Sequence, residues 1–292
     1  MSPADDSGVN MAVNMALLSG ALHLDEQTGI WRANAAAPAD VSYPADHNAA
    51  CFRLEGGSFW FTHRNRCIIA AVRRFSPDGF ILDIGGGNGF VAQGLIDAGF
   101  EAALLEPGVA GAHNAKQSRR VPTVINATID EAAIRPGSVP NIGLFDVLEH
   151  IDDDRQFAQR LGDIVRPGGF LYLTVPAFNW QWSMADVDAM HYRRYTRRTL
   201  TDVLAGSFEV LYSTYLFQRL VPLSMLVRAV PYRMGLARPE RQVELYTREH
   251  AVERRRLAGV LSWMLDPEVT AIAAGKSLSV GSSLLVVARR RE

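Results

Sequence analysis

The residues best suited to bind a ligand lie in a glycine-rich turn after a short apolar segment. Phe80-Ile81-Leu82 is typical of a buried strand, and the acid Asp83 follows it. Gly85, Gly87 and Gly89 then alternate, so the backbone can turn tightly and no side chain keeps a ligand away. Helical spacing begins after this turn. A buried strand, a glycine turn and a helix N-terminus together form a nucleotide-binding corner.

This corner differs from those that hold a pyrophosphate. It lacks the sixth-position glycine of a dinucleotide fingerprint and the Lys-Ser/Thr of a P-loop. Two acids follow the next two predicted strands. Glu106 is placed to accept both hydroxyls of a ribose, and Asp130 can accept from an adenine amino group.

Apolar strands alternate with helical segments after the glycine turn, which predicts a parallel sheet with helices on both faces. Ligands bind such a sheet beyond the carboxyl ends of its strands. The glycines, Glu106 and Glu149-His150 all fall at those ends. The predicted strands after the first are Ala102–Leu105, Thr123–Ile125, Ile142–Leu148, Phe170–Val175 and Phe208–Leu216.

Four segments in this order resemble the class I S-adenosylmethionine-dependent methyltransferases: Leu82–Gly89, Leu105–Pro107, Phe145–His150 and Leu161–Gly169. The resemblance extends from Phe80 to about Phe217 and includes a last strand at Gly281–Ala288. It implies an α/β, Rossmann-like, seven-stranded sheet with an antiparallel last strand. It also implies S-adenosyl-L-methionine as cofactor and S-adenosyl-L-homocysteine as product.

The segment Ser58–Asn65 (Ser-Phe-Trp-Phe-Thr-His-Arg-Asn) resembles a subgroup associated with small-molecule or polysaccharide pathways. It could close over the cofactor, with Arg64 or Arg66 on the methionine carboxylate and an aromatic wall at the sulfonium. The alternative is that Phe59 and Phe61 are core residues and the arginines are solvated.

The resemblance implies positions along the cofactor. Asp83, Gly85 and Gly87 lie against the methionine part, Glu106 holds the ribose, and Leu148–His150 line the floor near the sulfonium. The stretch Thr128–Asp130 flanks the adenine. The full set expected at the cofactor is Phe59, Trp60, His63, Arg64, Asp83, Gly85, Gly87, Glu106, Pro107, Thr128, Ile129, Asp130, Asp146, Leu148 and Glu149.

A second group of residues follows the fifth strand and should border the acceptor. Its aromatic side chains suit an apolar or planar molecule. His191 is the preferred general base and His150 the second candidate, because an O–H or N–H acceptor must lose its proton. Alternatively, His191 and Tyr195 only anchor the loop. The expected pocket residues are Phe178, Trp180, Trp182, Tyr192 and Tyr195.

Zinc is a further alternative, since His47-x-x-x-Cys51 and His63-x-x-x-Cys67 repeat one spacing and four such ligands can form a tetrahedral site. The resemblance already accounts for His63, and zinc pairs more often use shorter Cys-Cys spacings. We therefore expect no metal. Methyl transfer by in-line displacement needs mainly proximity and alignment.

The chain divides into three predicted parts. Residues 1–78 form an N-terminal extension with a helical cap, and residues 79–216 and 280–292 form the core. Residues 217–279 form a helical insertion, which we interpret as a lid over the acceptor. A dimer surface, a lipid-contacting surface through 217–232 and added core packing are the alternatives.

Composition limits the function classes. The chain has 292 residues, 48% hydrophobic and 21% charged, with a net charge of −1 and two cysteines. We expect a soluble cytoplasmic monomer or homodimer that methylates a small molecule, a natural product or secondary metabolite. Nucleic acid is not expected, since there is no basic excess and Asp146-Val147-Leu148-Glu149 replaces the Asp/Asn-Pro-Pro-aromatic segment of adenine methyltransferases. A diphosphate-bearing or lipid-linked acceptor, and a non-catalytic cofactor-binding partner subunit, remain open.

Overall fold

The computed structural model describes residues 13–34, 51–236 and 255–292. Nine strands in these residues form one sheet in the order β1-β2-β5-β4-β3-β6-β7-β9-β8. The strands are β1 Leu22–Asp25, β2 Ile30–Ala33, β3 Ile81–Ile84, β4 Ala102–Leu105, β5 Thr123–Asn126, β6 Val139–Phe145, β7 Val165–Pro176, β8 Phe208–Leu216 and β9 Ser283–Arg290.

Strands β3 to β9 form the seven-stranded sheet that the sequence predicts. Strands β5, β4, β3, β6 and β7 are parallel, and β9 pairs antiparallel with both β7 and β8. The antiparallel last strand is therefore confirmed. Strands β4 and β5 are added on one side of β3, and β6 and β7 on its other side. The strand order therefore reverses between β3 and β6, which is the switch point at which α/β sheets bind ligands.

Two further strands, absent from the sequence prediction, extend the sheet at β5. The hairpin β1–β2 pairs through β2 with β5 in parallel. Asp25 closes the turn by accepting from the Gln27 amide at 3.0 Å and the Thr28 hydroxyl at 2.8 Å. Neither strand carries a continuous apolar run, so the local sequence does not distinguish them from a loop.

Helices cover both faces of the sheet. They are α1 Met15–Leu18, α2 Phe59–Phe75, α3 Phe90–Asp97, α4 Val109–Gln117, α5 Asp154–Ile164, α6 Met184–Asp188, α7 Arg197–Leu204, α8 Val221–Ser224, α9 Val230–Arg233 and α10 Arg255–Ala273. Adjacent strand residues belong to opposite cores: Ile81 packs in one hydrophobic cluster and Leu82 in the other. Burial of each such side chain contributes about 1.5–3 kcal/mol.

Helix α2 places the aromatic segment at its own N-terminus. The Ser58 hydroxyl accepts the Trp60 amide at 3.2 Å, so the helix begins at Phe59. It ends at Ser76, which has a left-handed conformation with φ +43°. One face, which includes Cys67 and Ile68, is fully buried and helps attach this helix to the sheet.

The predicted insertion contains two described parts. Helices α8 and α9 flank a π-helical turn, Met225–Ala229, and each helix has a proline in its first turn. Helix α10 packs against α2 and buries Leu265 and Ile272 completely. Residues 237–254 of the predicted insertion lie outside the described residues. No helix in the described ranges is long and apolar enough to cross a bilayer.

Candidate functional site

The glycine turn lies at the carboxyl end of β3, beside the end of β6. Gly85 and Gly87 have φ of +69° and +55°, a region that non-glycine residues rarely adopt. A Cβ on Gly85 would lie 2.9 Å from Cγ2 of Val147, so this position has no room for a side chain. A Cβ on Gly87 would meet no atom of the described residues within 4 Å. The turn therefore leaves open space above Gly87.

Glu106, at the end of β4, binds the backbone of this turn. Its Oε2 accepts from the Gly87 amide at 2.8 Å and its Oε1 from the Gly108 amide at 2.7 Å. Asn126 supports the arrangement by donating to the carbonyl oxygens of Glu106 and Pro107, both at 2.9 Å. Burial raises the pKa of the Glu106 carboxyl. The acid predicted to hold the ribose thus also shapes the glycine turn.

Asp83 lies below the turn and is completely buried. Burial raises its pKa to about 7, and the positive charge of Arg64 opposes this shift. Neither carboxylate oxygen has a hydrogen-bond partner of ordinary geometry in the described residues. A buried acid of this kind is poised to pair with a cation that enters the corner.

Arg64 is the arginine of helix α2 that faces the corner. Its Nη1 donates to Oδ2 of Asp146, and its guanidinium lies 4.8 Å from the ring centroid of Trp60. Asp146 has a left-handed backbone (φ +57°), and its Oδ1 accepts the Thr174 hydroxyl at 3.0 Å. Arg66, by contrast, pairs with Asp266 at the surface. The structure therefore brings Arg64, but not Arg66, to the switch point.

His63 has partners outside this group. Its Nε2 lies 2.9 Å from Oε2 of Glu268 and 3.4 Å from Sγ of Cys67. Glu268 in turn accepts from the amides of Phe217 and Gln218, both at 2.8 Å. These contacts join α2, α10 and the end of β8, so the structure does not bring His63 together with the other predicted cofactor residues.

The remaining aromatic residues of the segment are divided between site and core. Phe59 and Trp60 are half-buried, and Trp60 stacks on Phe217 with ring centroids 5.4 Å apart. Phe61 is buried and meets Phe90 edge-on.

The stretch predicted to flank adenine follows β5. Thr128 and Ile129 are half-buried, and the Thr128 amide donates to the Glu131 carboxylate at 2.8 Å. Asp130 is exposed and pairs with Arg160 on α5. An exposed, paired carboxylate is a weaker candidate for adenine binding than a buried one.

A cluster of ionisable side chains lies just after β6. Glu149, His150 and His191 each offer a ligand atom, and these atoms all lie within 4.8 Å of one another. The two imidazoles meet edge-on with centroids 4.8 Å apart. Burial raises the pKa of Glu149 to about 8. Burial and the neighbouring His191 lower the pKa of His150 to about 4.

Asp186 holds His191 in place. The Nδ1 of His191 lies 3.0 Å from Oδ1 of Asp186, which is 1% exposed. Burial alone would raise the pKa of Asp186, but hydrogen bonds from His191 and Arg194 lower it to about 2. The ionised carboxylate pairs with a protonated Nδ1, and in the neutral form of the His191 ring the lone pair is then on Nε2.

The predicted acceptor residues separate into two groups. Phe178, Trp180 and Trp182 follow β7, and Phe178 stacks on Trp180 and on Tyr215 at 5.2 and 4.6 Å. Tyr195 is buried, and its hydroxyl donates to Asp154 at 2.9 Å. Tyr192 is exposed. The contacts of Tyr195 are therefore those of a loop anchor, the alternative that its sequence left open.

Two acidic residues near the site are not predicted from the sequence. One is Asp186, which lies between the two predicted acceptor segments and carried no recognisable pattern. The other is Glu55, which accepts from Asn88 and Arg119, both at 3.1 Å, and joins the N-terminal part to the glycine turn. Its only sequence signal was an acid followed by Gly56-Gly57.

Three of the four residues of the zinc alternative are among the described residues. His47 lies outside the described residues, and Cys51 is half-buried at the start of a described range. Cys67 and His63 are buried together with Glu268.

Comparison with known proteins identifies the family of this chain. The family model described as a methyltransferase domain matches residues 60–213, more than half of the chain. A ubiquinone biosynthesis O-methyltransferase of Xanthomonas campestris pv. campestris is 27% identical over 109 residues, which are 36% of this chain and 46% of that protein. The corresponding enzyme of Escherichia coli O9:H4 is 27% identical over 129 residues, 42% of this chain and 54% of that protein. The chain thus spans about half the length of these curated relatives.

Solved structures show the same fold. Phosphoethanolamine N-methyltransferase 2 of Haemonchus contortus, in complex with S-adenosyl-L-methionine, aligns with a TM-score of 0.53 and 15% identity. The alignment covers 87% of this chain and 59% of that one. A proposed sarcosine dimethylglycine methyltransferase of Galdieria sulphuraria aligns with a TM-score of 0.54 and 13% identity, over 84% of this chain and 98% of that one.

Proposed function

The chain belongs to the family of methyltransferase domains, and from this premise we propose that it transfers the methyl group of S-adenosylmethionine to a hydroxyl of an apolar small molecule. The observation that carries this proposal is the position of His191. Its Nδ1 is held by Asp186, and its ring meets His150 just beyond β6. Asp146, which directly follows the same strand, lies in the corner proposed for the cofactor.

The cofactor would lie across the carboxyl ends of β3, β4 and β6. Asp83 would attract the α-ammonium group of the methionine part, and Arg64 would bind its carboxylate. Glu106 would accept hydrogen bonds from the ribose hydroxyls while it retains the hydrogen bond from the Gly87 amide. The open space above Gly87 supports this placement, since the cofactor can approach the backbone there.

Nε2 of His191 would accept the hydroxyl proton of the molecule that is methylated. As the hydroxyl oxygen forms its bond to the methyl carbon, the carbon–sulfur bond breaks and its electron pair stays on sulfur. The acceptor oxygen thus becomes an ether, and the sulfonium becomes a neutral thioether. Alignment of the two reactants supplies most of the rate, and the base removes the positive charge that would otherwise remain on oxygen.

The acceptor would be apolar because aromatic side chains follow β7, on the segment of chain that leads to this base. Phe178 stacks with Trp180 and Tyr215 at the end of β7. The segment α8–α9 adjoins them, and Nη2 of Arg233 donates to the Trp180 carbonyl at 2.8 Å. We therefore assign this described part of the insertion the role of a lid.

The same lid presents an apolar surface that fits a membrane. Its exposed side chains include Leu223, Leu226 and Met234, of which Leu226 is 70% exposed. Residues 217–236 contain three arginines and no acid. Apolar side chains flanked by basic ones suit an anionic lipid surface, which would supply a lipophilic acceptor. Leu226→Asp should reduce sedimentation with anionic vesicles, whereas Leu17→Asp, at another exposed leucine, should not.

The enzymatic proposal is tested by incubation with S-adenosylmethionine and a panel of apolar phenols, catechols and alcohols. Mass spectrometry should detect S-adenosylhomocysteine together with a methyl ether. His191→Gln should lose most of this product, and His23→Gln, on exposed β1, should retain it. Tight cofactor binding without product from any acceptor would instead favour a non-catalytic partner subunit.

The cofactor placement is tested separately by calorimetry. Arg64→Ala should weaken binding of S-adenosylmethionine, because a charged hydrogen bond contributes about 1.5–3 kcal/mol. Arg66→Ala is the matched control, since Arg66 is on the same helix and pairs with Asp266 at the surface. Equal affinities in the wild-type protein and Arg64→Ala would contradict the assignment.

A further inference from the structure

We propose that Glu149, His150 and His191 bind one divalent transition-metal ion, with Zn²⁺ the best fit to the ligands. The three ligand atoms lie within 4.8 Å of one another. Ligands around one such ion, each at about 2.1 Å, are separated by roughly 3–4 Å, so small side-chain rotations suffice. Two imidazoles and one carboxylate are a common set for a catalytic zinc that keeps an open position. The sequence predicts no metal, so this site differs from that expectation.

A second observation on Glu149 points to a ligand. Its side chain is 1% exposed, and its Oε2 has no hydrogen-bond partner in the described part of the chain. Buried carboxylate oxygens are normally paired or coordinate a metal. A cation between Glu149 and the two imidazoles would supply the missing partner.

Both histidines also have the supporting contacts that metal-bound imidazoles use. The Nδ1 of His191 is held by the Asp186 carboxylate at 3.0 Å. His150 makes a hydrogen bond with the backbone of Ala189. Contacts of this type fix the ring and the tautomer, so that the other nitrogen faces the ion.

The second cluster with similar ligands, His63, Cys67 and Glu268, fits a metal less well. Oε2 of Glu268 already binds His63 and the Phe217 amide, and Oε1 binds the Gln218 amide at 2.8 Å. An ion there would have to displace bonds that join α2 to α10. This cluster therefore serves as the control.

The ion would act on the acceptor, and this part of the inference rests on the proposed function. An acceptor hydroxyl that binds the open position would lose its proton to solvent, because the cation stabilises the resulting oxyanion. The oxyanion would then attack the methyl carbon, and the carbon–sulfur electron pair would remain on sulfur. Ion binding and proton acceptance use the same lone pair of His191, so in the metal-bound protein the ion replaces the imidazole as the group that activates the hydroxyl. The products of the proposed function, a methyl ether and S-adenosylhomocysteine, are unchanged.

The test is titration of chelator-treated protein with Zn²⁺, in the absence of cofactor and acceptor. Calorimetry should show one ion per chain. Glu149→Gln and His191→Gln should each weaken binding at least about tenfold, as expected when a coordinating or supporting group is lost. Cys67→Ser should bind like the wild-type protein. Absence of binding, unchanged affinity in both site variants, or loss in Cys67→Ser would overturn the proposal.

Cobalt provides a spectroscopic check. Co²⁺ in the proposed site should give visible absorption without a thiolate charge-transfer band, whereas a site that includes Cys67 would show that band and contradict the assignment. Circular dichroism establishes that each variant is folded, and His150→Gln replaces any variant that is not. Because no cofactor is present, failure here leaves the cofactor-binding test of the proposed function unaffected.

Discussion

Asp186 and His191 are joined through Oδ1 and Nδ1 at 3.0 Å, and the same carboxylate binds Arg194 at 2.7 and 3.0 Å. One buried acid therefore holds an imidazole and a guanidinium at the same time. Its two partners lie on the segment after α6, so these bonds fix the loop that carries the proposed base. The acid itself need not touch either reactant.

Replacement of Asp186 should lower the free energy of unfolding. Asp186→Asn leaves Arg194 without its charged partner, and breaking a buried ion pair costs about 3–5 kcal/mol, less where the amide keeps some hydrogen bonds. Because the pKa of Asp186 is lowered to about 2, its contribution is complete above its unfolded pKa and is lost as pH falls through about 2. Urea unfolding at neutral pH should therefore show the full loss.

Asp266→Asn is the control for this measurement. Asp266 pairs with Arg66, and both side chains are more than 40% exposed. Exposed pairs contribute about 0–1 kcal/mol, so the variant should unfold close to the wild-type protein. Losses of equal size in the two variants would show that the buried arrangement has no special importance.

Glu106→Gln should weaken cofactor binding. The carboxylate accepts from two backbone amides, and a glutamine side chain has only one acceptor oxygen. A charged hydrogen bond contributes about 1.5–3 kcal/mol, so its loss should weaken the affinity roughly 10–150-fold. Calorimetric titration with S-adenosylmethionine measures the change.

Asp130→Asn gives the comparison, since Asp130 is exposed and already paired with Arg160. We expect less than about a threefold change in affinity, because exposed charges are well screened. A loss as large as that of Glu106→Gln would mean that Asp130 binds the adenine as its sequence position predicted.

The central sheet could be predicted from the sequence because each core strand is a short apolar run that ends in a polar or glycine turn. Phe208–Leu216 matches the observed β8 at both ends. The hairpin β1–β2 was missed for the opposite reason, since its two strands are half-exposed and carry no apolar run. Local composition thus reveals buried strands and hides those at the edge.

The sequence predicts the site residues that act alone. It does not predict those whose role depends on a contact with another part of the chain. The glycine turn and Glu106 follow from spacing along single strands. Asp186 has no neighbour in sequence that marks it, since its partners His191 and Arg194 lie five and eight positions later across a loop. His63 was assigned to the cofactor because it lies in the aromatic segment. Consecutive residues of a helix do not face the same way, so Arg64 meets Asp146 whereas His63 meets Glu268.

Gly87→Ala should separate cofactor binding from backbone strain. A Cβ at Gly87 would meet nothing within 4 Å among the described atoms, but it would occupy the space proposed for the cofactor. The left-handed backbone at φ +55° adds a cost of about 1–2 kcal/mol. Gly99→Ala has the same kind of cost, with φ +91° and open surroundings, yet it lies away from the turn. Only Gly87→Ala should lose affinity for S-adenosylmethionine, and equal affinities would contradict the placement.

Asp83 should make cofactor binding depend on pH. Burial raises its pKa to about 7, above the ordinary 3.8, so the folded protein holds an extra proton between these values. Stability should consequently fall as pH rises from about 4 to about 7 and stay constant above. A cationic α-ammonium group beside Asp83 favours the ionised acid, so binding should release a proton below about pH 7. Affinity should then be about tenfold weaker at about pH 6 than at about pH 8.

Calorimetry in buffers of different ionisation enthalpy detects the released proton, and Asp83→Asn should abolish both the release and the pH dependence. Proton release that persists in Asp83→Asn would assign the effect to another group.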